Sequence, residues 1–288
     1  MESTPRITVQ VGDLNVQQEF AEKYKGFLTG VTSLQASFRA LISSLKGKDD
    51  DLIGRVLYHL GILAWEDFSE IVVLCANGLT TGAQKILRGM FERIVTADYL
   101  QRHPEEAESF WNFYWIDQHK LNSDLEDHFK DFFTEEQIRE IELWRREIDS
   151  KYEEIKAHYQ VPVCSVCKDP DCKQCRKTKT HHSWSKKSIV EMAQEVGVAQ
   201  PLIKAGYYQP MMETHPKAVA IVRLISQSKD PSSRRSMDGT PFVIGYNLLL
   251  ALLQVFQLHF KVAEMREPLD EATENFRAAA KLLAMEER

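Results

Sequence analysis

The sequence predicts an all-α protein, a multi-helix bundle with a four-cysteine zinc knuckle inserted in it. Three observations carry that prediction. Apolar residues recur at spacings of three and four along most of the 288 residues, the period of a helix with one buried face. Between those runs stand caps and breakers such as Asp49-Asp50-Asp51, Asn77-Gly78 and His103-Pro104. Only Ile7, Val9 and Val11 alternate as a strand would, and no partner strand is visible, so they are read as an arm. With 43% hydrophobic residues the chain can bury a substantial core. One helical domain over 1–288 is expected, with a zinc-knuckle insertion at 161–183 and a mobile loop at 227–240.

The first helix starts near Val16 and runs through Phe20, Tyr24, Phe27, Leu34, Phe38 and Leu41. Gly47 and the three aspartates end it and open the next, because acidic side chains suit the partial positive charge of a helix N-terminus. The second helix carries Leu52, Val56, Leu60, Leu63 and Phe68 as far as Ala76. A third runs from Thr80 to the His103-Pro104 stop, and a fourth holds Trp111, Tyr114, Trp115 and His119. Thr134-Glu135-Glu136-Gln137 is a capping-box pattern. Behind it Ile138, Ile141, Trp144, Ile148, Tyr152, Ile155 and Tyr159 form a narrow stripe on an otherwise charged helix, which predicts a long and largely exposed element.

Beyond the cysteines, Ser185 is expected to cap a short helix that closes at Gly197, and 201–205 to form another turn before Gly206. Residues 207–226 read as helix broken at Pro210 and Pro216, and two helices at 241–265 and 268–285 complete the chain. The stretch 242–260 is rich in Leu, Val and Phe but also carries Asn247, Gln254, Gln257 and His259. It is read as a buried helix or a dimer seam, and not as a membrane span.

The cysteines make the most specific local pattern. Cys164, Cys167, Cys172 and Cys175 form two C-x2-C pairs around Lys168-Asp169-Pro170-Asp171, a turn that lets the chain double back. Four soft thiolates suit a tetrahedral Zn2+, and such a closed shell is structural, with no open position for chemistry. Bound metal would contribute on the order of 10 kcal/mol to ordering the segment. The polar start of the sequence lacks an export signal, and four of its five cysteines sit in the cluster. A reducing, cytoplasmic setting is the expectation, which favours metal over disulfides.

The net charge of −6 excludes a global basic field for nucleic acid. Locally the balance reverses: Lys168, Lys173, Arg176, Lys177, Lys179, Lys186 and Lys187 crowd the cysteine stretch and its C-terminal flank. Lys187, Arg176 and Lys177 are candidate phosphate contacts in the basic loop 173–187, with Trp184 available to stack on a base. The alternative is a solvated loop whose lysines offset thiolate charge. No Gly-rich phosphate loop and no nucleophile elbow is present.

On the third helix Ile86, Leu87, Met90, Phe91, Ile94 and Val95 make a broad apolar surface. Lys85, Arg88, Glu92, Thr96 and Tyr99 make a polar stripe, in which Arg88 and Glu92 are spaced to pair. That stripe faces either solvent or a cleft.

The run Gly82-Ala83-Gln84-Lys85-Ile86-Leu87-Arg88-Gly89-Met90-Phe91-Glu92, followed by Asp98-Tyr99-Leu100, resembles the "LLRSLFE…YL" helix of an uncharacterised, all-helical domain-of-unknown-function family. Trp184 to Ala193 resembles its "SxKSIxEMA" stretch, and Tyr208 with Thr214-His215-Pro216 its "Y…S..HP" stretch, so the likeness covers roughly 50–260. The resemblance implies that Arg88, Glu92, Lys187 and His215 form one constellation, with Arg88, Glu92 and His215 the candidate catalytic groups. It names no reaction. The cysteine cluster reads as an insertion ahead of the Trp184 motif. The family is also faintly similar to the HEPN group of helical nucleases and nucleotide-binding proteins. Their Arg and His stand on one helix with four to six residues between them. Arg55 and His59 have only three between them, and Arg176 and His181 fit but lie in the basic loop.

Two functions follow as expectations. One is a zinc-stabilised, nucleic-acid-directed effector that binds RNA or DNA through 173–187, of a ribonuclease or defence type. The other is a non-catalytic interaction or scaffold module, with a homodimer as one form of partner.

Overall fold

The computed structural model describes residues 12–45, 51–125, 133–162, 178–214 and 239–286. In chain order the elements are α1 (Leu14–Lys23), α2 (Lys25–Leu45), α3 (Leu52–Ala76), α4 (Thr80–Arg102), α5 (Ala107–Leu125), α6 (Glu135–Ile155), β1 (Gln160–Pro162), β2 (Thr178–Thr180), α7 (Ile189–Glu195), α8 (Gln200–Ile203), α9 (Gln209–Thr214), α10 (Thr240–Phe260) and α11 (Arg266–Glu286). The fold is all-α. The chain divides into two compact units, one made of 1–103 and 189–288, the other of 104–188. The arm at 7–11 lies outside the described residues, as does the expected mobile loop up to 238.

The first unit is organised around α10. Its window of greatest hydropathy is long and apolar enough to cross a membrane, yet 61% of that window is buried against the rest of the protein. Phe242 meets Phe20 at 5.4 Å, Tyr24 at 5.8 Å, Phe68 at 6.0 Å and Phe27 at 6.1 Å between ring centroids. Leu249, Leu252, Leu253 and Phe256 are fully buried. Burying such a side chain contributes about 1.5–3 kcal/mol, so α10 is core. Asp51 caps α3 as its position predicts, accepting from the Gly54 amide. Asp67 of α3 and Arg93 of α4 form an ion pair. Burial pushes the Asp67 carboxyl above its ordinary value, and Arg93 opposes the shift.

Several boundaries differ from expectation for tertiary reasons. The first helix is two, interrupted at Tyr24 (φ −106°, ψ 19°). There the Tyr24 side chain turns to α10, and its hydroxyl accepts from the Gly239 amide at 2.9 Å. Ser185 does not cap a helix. Its hydroxyl accepts from the Lys187 amide at 3.2 Å, and α7 starts only at Ile189. The α7 turn does close at Gly197, which takes φ +84°. Gly206 does not stop a helix either. Lys204–Tyr208 forms a π turn that joins α8 to α9, and a Cβ on Gly206 would stand 2.7 Å from the Phe91 ring. The bare backbone lets this turn lie against α4. The helix expected over 241–265 ends at Phe260, where Lys261 adopts a left-handed conformation (φ 54°).

In the second unit the capping box of α6 is complete. The Gln137 amide donates to Thr134 Oγ1 at 3.3 Å, and the Thr134 amide donates to Gln137 Oε1 at 3.0 Å. The helix is largely exposed, as its narrow stripe predicts: Ile148 is buried, whereas Ile141 and Trp144 are exposed. A strand pair follows that the sequence did not announce. β1 and β2 run antiparallel, with Gln160 opposite Thr180, Val161 opposite Lys179 and Pro162 opposite Thr178.

Candidate functional site

Tyr159 anchors the second unit. It follows α6 through a 3-10 turn and is 4% exposed. It packs with Phe113 and Ile116 of α5, and Tyr152, Ile155 and Trp184 close around that cluster. Its phenol donates to the Ser109 carbonyl at 2.7 Å, and its own carbonyl accepts from the His181 amide at 2.7 Å. The Ser109 hydroxyl donates to the Trp184 carbonyl at 3.1 Å. One serine of α5 thus holds both the end of α6 and the segment after β2. Burial pushes the Tyr159 phenol up, and the charge of Glu108 adds to the rise.

Around this anchor lies a cleft of about 460 Å³. Lys186, Lys187, Trp184 and Ser183 line it together with Glu105, Glu106, His158 and His181. The Nδ1 atom of His181 lies 2.8 Å from the Ser183 carbonyl oxygen. Trp184 also borders a second cavity of about 550 Å³. That groove is lined by Phe110, Trp111, Phe113, Tyr114 and Trp115 of α5, with Asp117 as its one charged group. The Phe110 and Trp184 rings meet edge to face at 5.2 Å. Asp117 lies 3.7 Å from Lys120, whose ammonium sits 5.1 Å over the Phe113 ring. Burial raises the Asp117 carboxyl, and Lys120 opposes the rise.

The polar stripe of α4 belongs to the first unit and is shorter than its spacing suggests. Thr96 (7% exposed) and Tyr99 (0%) are buried, and Tyr99 stacks on His103 at 4.4 Å. His103 in turn meets Glu195 of α7 at 2.9 Å. The part that stays polar is Lys85, which is exposed, and Arg88 with Glu92. Arg88 Nε donates to Glu92 Oε1 at 2.9 Å, and the Arg88 guanidinium lies 5.1 Å over the ring of Tyr207 in the π turn. Phe91 packs on the same ring at 5.9 Å.

Of the candidate residues, Lys187 and Trp184 therefore meet in one cleft, and Arg88 and Glu92 pair on α4. Arg176, Lys177, His215 and the four cysteines lie outside the described residues, among which no group of three or more potential metal ligands occurs. Ser109, Glu105, Glu106 and His158 were not singled out from the sequence. Their common signal is distance in the chain: 105–109, 158–161 and 181–187 are brought together only by packing. Trp111, Tyr114 and Trp115 read from the sequence as residues of a helix, not as the wall of a groove.

No curated protein and no solved structure matches the chain, so the likeness to the HEPN group gains no support there. A family model does match, over residues 56–232. That is more than half of the chain, which therefore belongs to DUF5677, a family of unknown function.

Proposed function

We propose that the protein is a zinc-stabilised helical binding protein whose second unit takes nucleic acid at the Lys186–Trp184 cleft. The observation that carries this reading is that Lys186, Lys187 and Trp184 line one cavity. A cation beside an aromatic plane is the minimal contact for a phosphate and its adjacent base. The sequence adds Arg176 and Lys177 to the same basic stretch. Zinc is assigned to Cys164, Cys167, Cys172 and Cys175 on the chemistry of four closely spaced thiols. The frame supports that assignment. Pro162 and Thr178 are strand partners, so the chain enters and leaves the cysteine stretch at one place.

The test is binding by fluorescence anisotropy at low salt, with labelled RNA and DNA and the zinc-loaded full chain. Binding with an affinity that falls steeply as salt rises supports the reading, and its absence for every strand overturns it. One equivalent of zinc per chain, lost on replacing Cys164 and Cys167 with Ser, tests the metal separately.

A second reading, nucleic-acid cleavage, rests on the π turn at 204–208 beside Arg88 and Glu92, since π segments concentrate at functional sites. Here Arg88 would hold a phosphate, and Glu92 or His215 would move the proton. Loss of a measured cleavage activity in both Glu92→Gln and His215→Ala, with binding retained, would favour it. The scaffold alternative would use exposed apolar residues such as Ile141, Leu143 and Trp144 of α6 as its surface.

A further inference from the structure

We propose that the aromatic groove of α5 seats unpaired bases of the strand whose phosphates meet Lys186 and Lys187, which makes the partner a single strand. This rests on the binding reading above and assigns a separate subsite to it. The spacing of aromatics on α5 exceeds what its core requires. Phe113 is 7% exposed and fills the cluster with Ile116 and Tyr159. Trp111 and Tyr114 remain 46% and 47% exposed. Tyr114 meets Trp115 edge to face at 5.0 Å, yet both Trp111 and Tyr114, which line the cavity, keep about half their surface toward water. The groove volume of about 550 Å³ lies within the range of small-ligand sites.

Three features choose a nucleobase as the occupant. Trp184 is a wall of both the groove and the lysine cleft, so the two adjoin at one indole. A strand crossing that indole would place its phosphates at Lys186 and Lys187, which share their cleft with Glu105 and Glu106, and its bases among the rings. The groove itself holds one carboxylate, Asp117, beside Lys120, so it offers a phosphate no uncompensated cation. Stacking needs an exposed base face, which a paired duplex keeps within its own stack. Because every base has such a face, discrimination among base types would be slight.

The experiment compares full-length wild type with two double variants, Trp111→Ala/Tyr114→Ala and Lys186→Ala/Lys187→Ala. Each is titrated against a labelled single strand, its duplex and an abasic strand of equal length, over a salt series. The aromatic variant should lose tenfold or more in single-strand affinity with an unchanged salt slope, and the lysine variant should lower the slope. Wild type should bind the abasic strand at least tenfold more weakly than the normal one, a comparison that needs no variant to fold. Equal binding of the abasic strand, or of the duplex, overturns the groove assignment while leaving the lysine contact standing. So does an aromatic variant that binds as wild type. Uptake of an apolar peptide in place of a base-dependent response also overturns it. No binding of any strand at low salt removes both readings.

Discussion

Tyr159 and Ser109 are joined at 2.7 Å by a phenol-to-carbonyl hydrogen bond, and the same serine reaches the Trp184 carbonyl through its hydroxyl. Three separate stretches of chain are thereby fixed at one residue. Replacing Tyr159 by Phe keeps the ring in its cluster but removes the phenol bond, leaving the Ser109 carbonyl its helical partner only. The expected cost is about 1 kcal/mol, read as a lower denaturant midpoint. Ser109→Ala should cost about 1 kcal/mol and loosen the cleft, with the change seen first in Trp184 fluorescence.

The zinc assignment predicts a local effect. Chelation, or Cys164→Ser with Cys167→Ser, should increase amide exchange at 160–162 and 178–180. Far-UV circular dichroism should change little, because the helices of the first unit bury their own core. Loss of most helical signal would show that the metal supports the whole fold.

Gly206 predicts a packing defect at the π turn. A Cβ there stands 2.7 Å from Phe91 Cδ2, inside contact distance. Gly206→Ala should destabilise by about 1–3 kcal/mol. A second change, Phe91→Leu, should recover part of that loss, and the double-mutant cycle measures the coupling.

Tyr246 predicts an alkaline limb of stability. It is fully buried and donates to the Ala272 carbonyl at 3.0 Å. Burial raises its phenol far above the ordinary value near 10, and the charge of Glu271 adds to this. With the folded value above the unfolded one, the contribution is complete below about pH 10 and is lost as pH rises above it. Tyr246→Phe should cost about 1 kcal/mol at neutral pH. It should also show a shallower fall in melting temperature above pH 10 than wild type. Tyr159, present in both proteins, cancels in the comparison.

The Arg88–Glu92 pair predicts little for stability. Its side chains are 25% and 40% exposed, and exposed pairs at this spacing contribute about 0.3–0.5 kcal/mol. Glu92→Gln should leave the melting temperature within about two degrees of wild type. A large loss would mean that the stack on Tyr207 carries more of the π-turn packing than the charge pair does.

What could be read from the sequence is what local chemistry decides. Asp51 and the Thr134–Gln137 box act on backbone amides within three residues, so they mark helix starts without knowledge of the fold. The 240–260 stretch is apolar on nearly every face, which gives away a central helix. The misread features depend on distant partners. Thr96 and Tyr99 look polar by spacing, but His103, tied to Glu195, closes over that end of α4. The turn at Gly206 follows from Phe91, more than a hundred residues earlier. Three-residue strands on either side of the cysteines have no periodicity to detect. The cleft is harder still, because Glu105, His158 and Lys187 share a wall only after α5 and α6 have packed.

The pairing of Pro162 with Thr178 has a consequence for how this sequence can change. Neighbouring strands lie about 4.8 Å apart, so the fifteen residues 163–177 leave and rejoin the protein across a single ladder rung. A tight two-residue hairpin turn could bridge the same gap. If the cysteines are the insertion their spacing suggests, this pairing predicts that the segment can be exchanged as a cassette. Trimming it to Asn-Gly should give a folded, metal-free protein that keeps Lys186, Lys187 and the α5 groove. Relatives could gain or shed the metal in one insertion or deletion without altering the helices that present the site.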